Sequence, residues 1–219
     1  MARVAIILSG CGYLDGSEIH ESVLCMVMLA RHGHQYMCFA PDVEQSKVVN
    51  HLTEYESQQE TRNVLVESAR IARGKVSSLE SLKDADFDAL LLPGGSGALL
   101  NLSDFVEKGP SYGVNNTLKN TILKFYQAKK PIGATCIAPI ILARALEGHK
   151  GIRMTLGSNP ANKDELEKLG MKAELAKVHE CVVDGDHHIV TTPCYMEPSD
   201  LAGMSVGIEA MITSLFAQR

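Results

Sequence analysis

The chain has 219 residues and a mass of 23.7 kDa, with 45% hydrophobic and 21% charged residues, the composition of an ordinary globular protein. Its formal net charge of −5 lacks the bulk positive field that draws phosphate backbones, which argues against nucleic acid as a partner. The longest apolar stretch, residues 23–30, falls far short of the roughly 20 residues a membrane span needs, and the apolar run at the N-terminus is too short for a secretory signal.

Taken in chain order, short apolar runs alternate with helical patterns. Residues 4–8 form a continuous β-rich run, the mark of a buried parallel strand. A glycine-containing loop, residues 9–17, leads to a helix over 18–32 that ends at Gly33. Ile19, Val23, Met26, Val27 and Ala30 share one face of it and are expected to point to the core. Glu18 and Glu21 fall in its first turn, where the helix dipole favours acids. Residues 35–39 read as a second strand, and 42–62 as a long polar surface excursion. Short helices are expected at 63–73 and 78–83, and a buried strand at 87–92 runs into Pro93-Gly94-Gly95. Further on come a helix at 116–128, a strand at 131–135, a helix at 137–146, a strand at 152–156 and a helix at 163–169. The runs 181–184 and 188–192 flank Gly185-Asp186-His187 as a hairpin, and a last helix spans Ser199 to Ala217. The alternation predicts one α/β domain over 1–219, with a mainly parallel sheet covered by helices on both faces. Such sheets bind ligands at the C-terminal ends of their strands.

Six cysteines occur (Cys11, Cys25, Cys38, Cys136, Cys181 and Cys194), and none forms a C-x-x-C pair. Zinc-ribbon and thioredoxin chemistry is therefore not indicated, and reduced thiols in a cytoplasmic setting are the expectation. Cys136 stands out because a strand runs into it and a helix starts directly after it. Small residues, Ala134 and Ala138, lie two before and two after it, as a tight nucleophile elbow requires, and Pro139 suits the first turn of a helix. At that helix N-terminus the thiol pKa is expected to be lowered; the competing reading is a small core residue beneath a turn. Gly94 and Gly95, directly after a buried strand, suit an oxyanion hole built from backbone N–H groups. The loop Gly10-Cys11-Gly12-Tyr13-Leu14-Asp15 puts Asp where a dinucleotide fingerprint has its third glycine, which disfavours a nicotinamide site.

Residues 9–21 (SGCGYLDGSEIHE), 38–42 (CFAPD), 60–74 (ETRNVLVESARIARG), 92–102 (LPGGSGALLNL), 136–139 (CIAP) and 191–196 (TTPCYM) together resemble the class I glutamine amidotransferase-like superfamily. Within it they resemble the branch of PfpI-type peptidases and the parkinsonism-associated deglycase, and most closely the enhancing-lycopene-biosynthesis (ElbB) type of glyoxalase. The resemblance implies a flavodoxin-like three-layer sandwich, a catalytic Cys136 with a partner acid at Glu21, a homodimer, and neither metal nor cofactor. Relatives with peptidase or related activity carry His immediately after the nucleophile. Here that position is Ile137, which cannot move a proton, so a peptidase or amidotransferase is disfavoured.

What remains is a thiol paired with a carboxylic acid. The expectation is a glyoxalase acting on glyoxal and methylglyoxal, with Cys136 as nucleophile, backbone N–H groups of Gly94, Gly95 and Ile137 at the oxyanion, and Glu21 as proton shuttle or, failing that, Glu18 or a nearby His such as His20. For Glu21 to help, burial must raise its pKa, so that a protonated carboxyl faces the sulfur. The rival expectation is a redox-sensing or binding protein whose Cys136 is modified without turnover.

Overall fold

The computed structural model describes residues 1–198 and 200–217. In chain order the strands are β1 (Arg3–Ile7), β2 (Gln35–Ala40), β3 (Val48–Val49), β4 (Glu56–Ser57), β5 (Val76–Ser78), β6 (Ala89–Leu92), β7 (Ile132–Thr135), β8 (Arg153–Met154), β9 (Lys172–Ala173), β10 (Val182–Asp184) and β11 (Ile189–Thr192). The helices are α1 (Ile19–Arg31), α2 (Val64–Ile71), α3 (Gly97–Asn101), α4 (Phe105–Lys108), α5 (Asn116–Gln127), α6 (Ala138–Ala145), α7 (Pro160–Lys168) and α8 (Leu201–Ala217). Seven strands form one sheet in the order β10-β11-β7-β6-β1-β2-β5. Every neighbouring pair in it is parallel except the β10–β11 hairpin. This is the α/β, flavodoxin-like sandwich expected from the sequence.

Alternation along the strands feeds two apolar layers. Ala5, Ile7, Leu90 and Leu92 pack on one face against α5 and α6, whereas Val4, Ile6, Leu8 and Leu91 pack on the other against α1 and α8. With both faces covered, the central strands read as unbroken apolar runs, which is why the sequence reveals them. Strand order reverses between β1 and β6, and at such a switch point the C-terminal strand ends open a crevice for ligands. Here the loop after β1 is stitched to the loop after β6. The Gly97 N–H donates to Gly16 O (2.9 Å), the Ser96 N–H to Tyr13 O (2.8 Å) and the Glu18 N–H to Gly94 O (2.9 Å). The Asn101 amide bridges the carbonyls of Ser9 and Asp15, each at 2.8 Å.

Four expectations need correction. The outward face of α1 is the one that carries Ile19, Val23, Val27 and Ala30; of the five residues expected inside, only Met26 is buried. The helix instead turns Glu21, Cys25, Met28 and Leu29 inward, because it is apolar nearly all round and the packing of the sheet, not the hydrophobic pattern, selects its face. Residues 78–83 do not form an α-helix. Val76–Ser78 adds edge strand β5 to the sheet, and a single 3-10 turn follows. The expected strand at 152–156 shrinks to β8, which pairs with β9 apart from the main sheet. Side chains hold its N–H groups: Arg153 N–H donates to Asp184 Oδ2 (2.6 Å) and Thr155 N–H to Thr191 Oγ1 (2.9 Å). Within the polar excursion, β3 and β4 make a small ribbon. The expected start of the last helix at Ser199 lies outside the described residues. No described helix is long and apolar enough to cross a membrane.

Candidate active site

Cys136 leaves β7 with φ +57°, a left-handed conformation that a non-glycine residue adopts only where its surroundings impose it. Its N–H donates to Thr192 O of the neighbouring strand (2.9 Å), and α6 starts two residues later. The side chain is thereby lifted over the strand end, as the elbow pattern predicts. The backbone N–H groups of Gly95 and Ile137 lie near enough to its sulfur to favour the thiolate.

Glu21 approaches from the first turn of α1 and is fully buried. Its Oε2 accepts from Thr135 Oγ1 (2.6 Å) and from the Gly94 N–H (3.0 Å). The other oxygen, Oε1, has no further hydrogen-bond partner, and the carboxyl interacts with the Cys136 thiol. Glu18 plays the ordinary helix-end role: its Oε2 accepts from the Glu21 N–H at 2.7 Å and caps α1. The two acids of that turn thus have different functions, one capping the helix and one facing inward.

Burial disfavours the charged form of both members of the pair. Desolvation, helped by the neighbouring Glu18 charge and opposed by the bonds from Thr135, Cys136 and Gly94, raises the Glu21 pKa from an ordinary 4.5 to about 7. That agrees with the expectation for Glu21. The expectation of a lowered thiol pKa is overturned. Burial first, and the Glu21 charge second, push Cys136 well above the usual thiol value, outweighing the two N–H groups at its sulfur. The first proton therefore leaves the carboxyl, and the resting sulfur is a neutral thiol beside a carboxylate that can accept its proton. The same Glu21 charge helps raise Cys25 and Cys194, which are also buried.

Gly94 does not serve as an oxyanion donor. Its N–H is taken by Glu21 and by Thr135 Oγ1 (3.0 Å). The residue is needed for space: a Cβ there would lie 2.4 Å from the Cys136 Cβ and 2.8 Å from Glu21 Oε2, closer than real side chains come. Gly95, at φ +96°, takes a conformation that favours glycine. Its N–H and that of Ile137 both act to lower the Cys136 pKa, which places them near the sulfur.

A cavity of about 490 Å³ opens over Cys136. With the cysteine, Gly95, Ile137, Glu18, His20, Tyr13 and Tyr195 line it. His20 Nδ1 is 2.8 Å from the Tyr195 hydroxyl and 3.8 Å from Glu18 Oε1. Glu21 does not line the cavity; it lies behind the sulfur. Thr135, Tyr13 and Tyr195 went unnoticed in the sequence as site residues. Tyr195 sits in the TTPCYM stretch and Thr135 directly before the nucleophile, but no spacing rule singles out either. Among the described residues no group of three or more His, Cys, Asp or Glu is arranged to hold a metal ion.

The raised Glu21 pKa sets the sign of a stability change. Between pH 4.5 and 7 the unfolded chain has lost this proton while the folded chain keeps it. Stability therefore falls as pH rises through that window, by about 3 kcal/mol from this residue. Glu21→Gln has no such proton, so in urea unfolding it should gain on the parent between pH 4.5 and pH 8. Parallel stability curves for the two proteins would show that Glu21 is not the desolvated acid.

Comparison with known proteins agrees with this geometry. Residues 15–202 match the DJ-1/PfpI family. The chain is 42% identical to the rat ES1 protein homolog, mitochondrial, over 96% of this chain and 82% of that one. It is also 42% identical to the human glutamine amidotransferase-like class 1 domain-containing protein 3, mitochondrial, over 96% and 81%. Among solved structures, the isoprenoid biosynthesis protein with amidotransferase-like domain from Ehrlichia chaffeensis superposes with a TM-score of 0.93 at 37% identity, covering 100% of this chain and 99% of that one. Drosophila melanogaster DJ-1beta, at 18% identity and a TM-score of 0.59 over 100% and 91% of the two chains, shares the fold. By sequence over most of its length and by the arrangement of its sheet, the chain belongs to the DJ-1/PfpI family.

Proposed function

We propose that the protein is a cofactor-independent glyoxalase of the enhancing-lycopene-biosynthesis type, converting glyoxal and methylglyoxal to 2-hydroxy acids. The observation that carries this reading is a fully buried Glu21 carboxyl that interacts with Cys136, which itself lines an open cavity. A neutral thiol beside a carboxylate needs an electrophile reactive enough to be attacked as the proton leaves, and a small dicarbonyl is one. With glyoxal, the sulfur bonds to one aldehyde carbon, its proton passes to Glu21, and the carbonyl pair moves to oxygen beside the Gly95 and Ile137 N–H groups. The oxygen takes up a proton to give a hemithioacetal. Loss of the C1 proton and delivery of a proton to C2 pass through an enediol to a thioester. Water then cleaves the thioester, the sulfur regains its proton and glycolate is released. The sum is one glyoxal plus one water, with no oxidant, reductant or metal.

The rival reading, a sensor whose Cys136 is oxidised, loses support from the raised thiol pKa, because oxidation proceeds through the thiolate. The two readings separate by stoichiometry. The expected result is many equivalents of glycolate per chain from the parent and none from Cys136→Ala; consumption of one equivalent followed by arrest would favour the sensor.

We also propose a homodimer. The stripe of Ile19, Val23 and Val27, each about 40% exposed or slightly more, leaves one apolar face of α1 partly uncovered by the described residues, which supports self-association. Sedimentation at micromolar concentration should show a dimer that Val23→Glu weakens; a parent monomer across that range would contradict it.

A further inference from the structure

Within the glyoxalase reading, one step has no obvious agent: the transfer of a proton from C1 to C2 of the bound adduct. Ile137 cannot take part, having no titratable group. Glu21 is badly placed for it, since it lies fully buried behind the sulfur and does not line the cavity in which the adduct must sit. Its free oxygen serves the thiol proton. The cavity lining itself does offer acid–base groups. His20 and Tyr195, which are 175 residues apart in the chain, meet there with 2.8 Å between the imidazole Nδ1 and the phenol oxygen. Both line the cavity above Cys136, and the Glu18 carboxylate stands 3.8 Å from the same imidazole nitrogen. An imidazole exchanges protons readily near neutral pH, and a hydroxyl can donate and accept at once.

We propose that His20 and Tyr195 form the acid–base pair that moves this proton, while Glu21 is reserved for the sulfur. The imidazole takes the C1 proton of the hemithioacetal as the C1–H electron pair forms the C1–C2 double bond. The C2 carbonyl oxygen accepts a proton from the Tyr195 hydroxyl, giving the enediol. In the second half the C2 carbon takes up the proton held by the imidazole, and the C1 hydroxyl closes to the thioester carbonyl while its proton restores the phenol. No proton is gained or lost over the two halves. Carboxylate, imidazole and phenol thereby extend from the capped end of α1 across the cavity wall. They do the work that a histidine beside the nucleophile would otherwise do.

The proposal rests on the glyoxalase reading, and the experiment keeps their failures apart. Glyoxal turnover and the rate of Cys136 alkylation by iodoacetamide are measured side by side for the parent, His20→Ala and Tyr195→Phe. The expected result for His20→Ala is a loss of turnover of about 100-fold or more, unchanged alkylation, a hemithioacetal that accumulates on Cys136 by intact-protein mass, and partial recovery when imidazole is added. Tyr195→Phe should lose kcat with little change in KM. Parent turnover together with undiminished turnover in His20→Ala would overturn the relay alone. A loss of alkylation in parallel with turnover, with no imidazole rescue, would also overturn it, by showing a structural role. A parent that consumes one equivalent and stops would overturn the glyoxalase reading and the relay with it.

Discussion

Everything at this site depends on placing an ionisable carboxyl where there is almost no water. Glu21 is fully buried, and the Thr135 hydroxyl, the Gly94 N–H and the Cys136 thiol only partly offset the loss of its hydration. That imbalance raises its pKa to about 7 and, through the same charge, keeps the Cys136 thiol protonated. The cysteine is therefore not a standing thiolate of the kind a helix N-terminus can produce. In the function we propose it is a nucleophile whose base lies beside it, closer in logic to a serine with a general base than to a low-pKa redox thiol.

The fold supplies this arrangement by converging strand ends. The end of β7 throws Cys136 into a left-handed turn, the loop after β6 brings Gly94 and Gly95 against it, and the loop after β1 delivers α1 with Glu21 pointing inward. The loop after β1 is joined to the loop after β6 by backbone hydrogen bonds, and the Gly94 N–H reaches the Thr135 hydroxyl at the end of β7, so the three parts cannot drift independently. Such rigidity matters, because a misplacement of about 1 Å in reacting groups can cost on the order of 100-fold in rate. Gly94 shows how close the packing is: its missing Cβ is the space occupied by the nucleophile and its acid.

The central sheet was legible because each inner strand is buried on both faces and so reads as an unbroken apolar run. The elbow was legible because its steric demands leave small residues at fixed offsets from Cys136. Less of the electrostatics could be read. A helix N-terminus beside a cysteine suggests a lowered thiol pKa, but the desolvation that reverses the sign is a property of packing from α1 and β11, remote in sequence. The orientation of α1 was misread for a related reason. Ile19, Val23 and Val27 make the better apolar stripe, yet the helix turns Glu21, Cys25 and Leu29 inward, because packing against the sheet, not the stripe, selects the buried face. Tyr195 was invisible as a partner of His20, since only the folded sheet brings residues so far apart into contact.

The family assignment accounts for the scaffold, while Ile137, which cannot move a proton, stands directly after Cys136 and leaves acid–base chemistry in the function we propose to groups from other elements. The central claim is that Glu21 is the base for a neutral Cys136 thiol. It is tested most directly by the rate of Cys136 alkylation as a function of pH in the parent and in Glu21→Gln. The parent rate should rise through an apparent pKa near 7 as the carboxyl ionises, and the variant should lack that limb, gaining reactivity only above the ordinary thiol range. A parent rate that is already maximal at pH 5, or a variant with the parent's profile, would contradict the account.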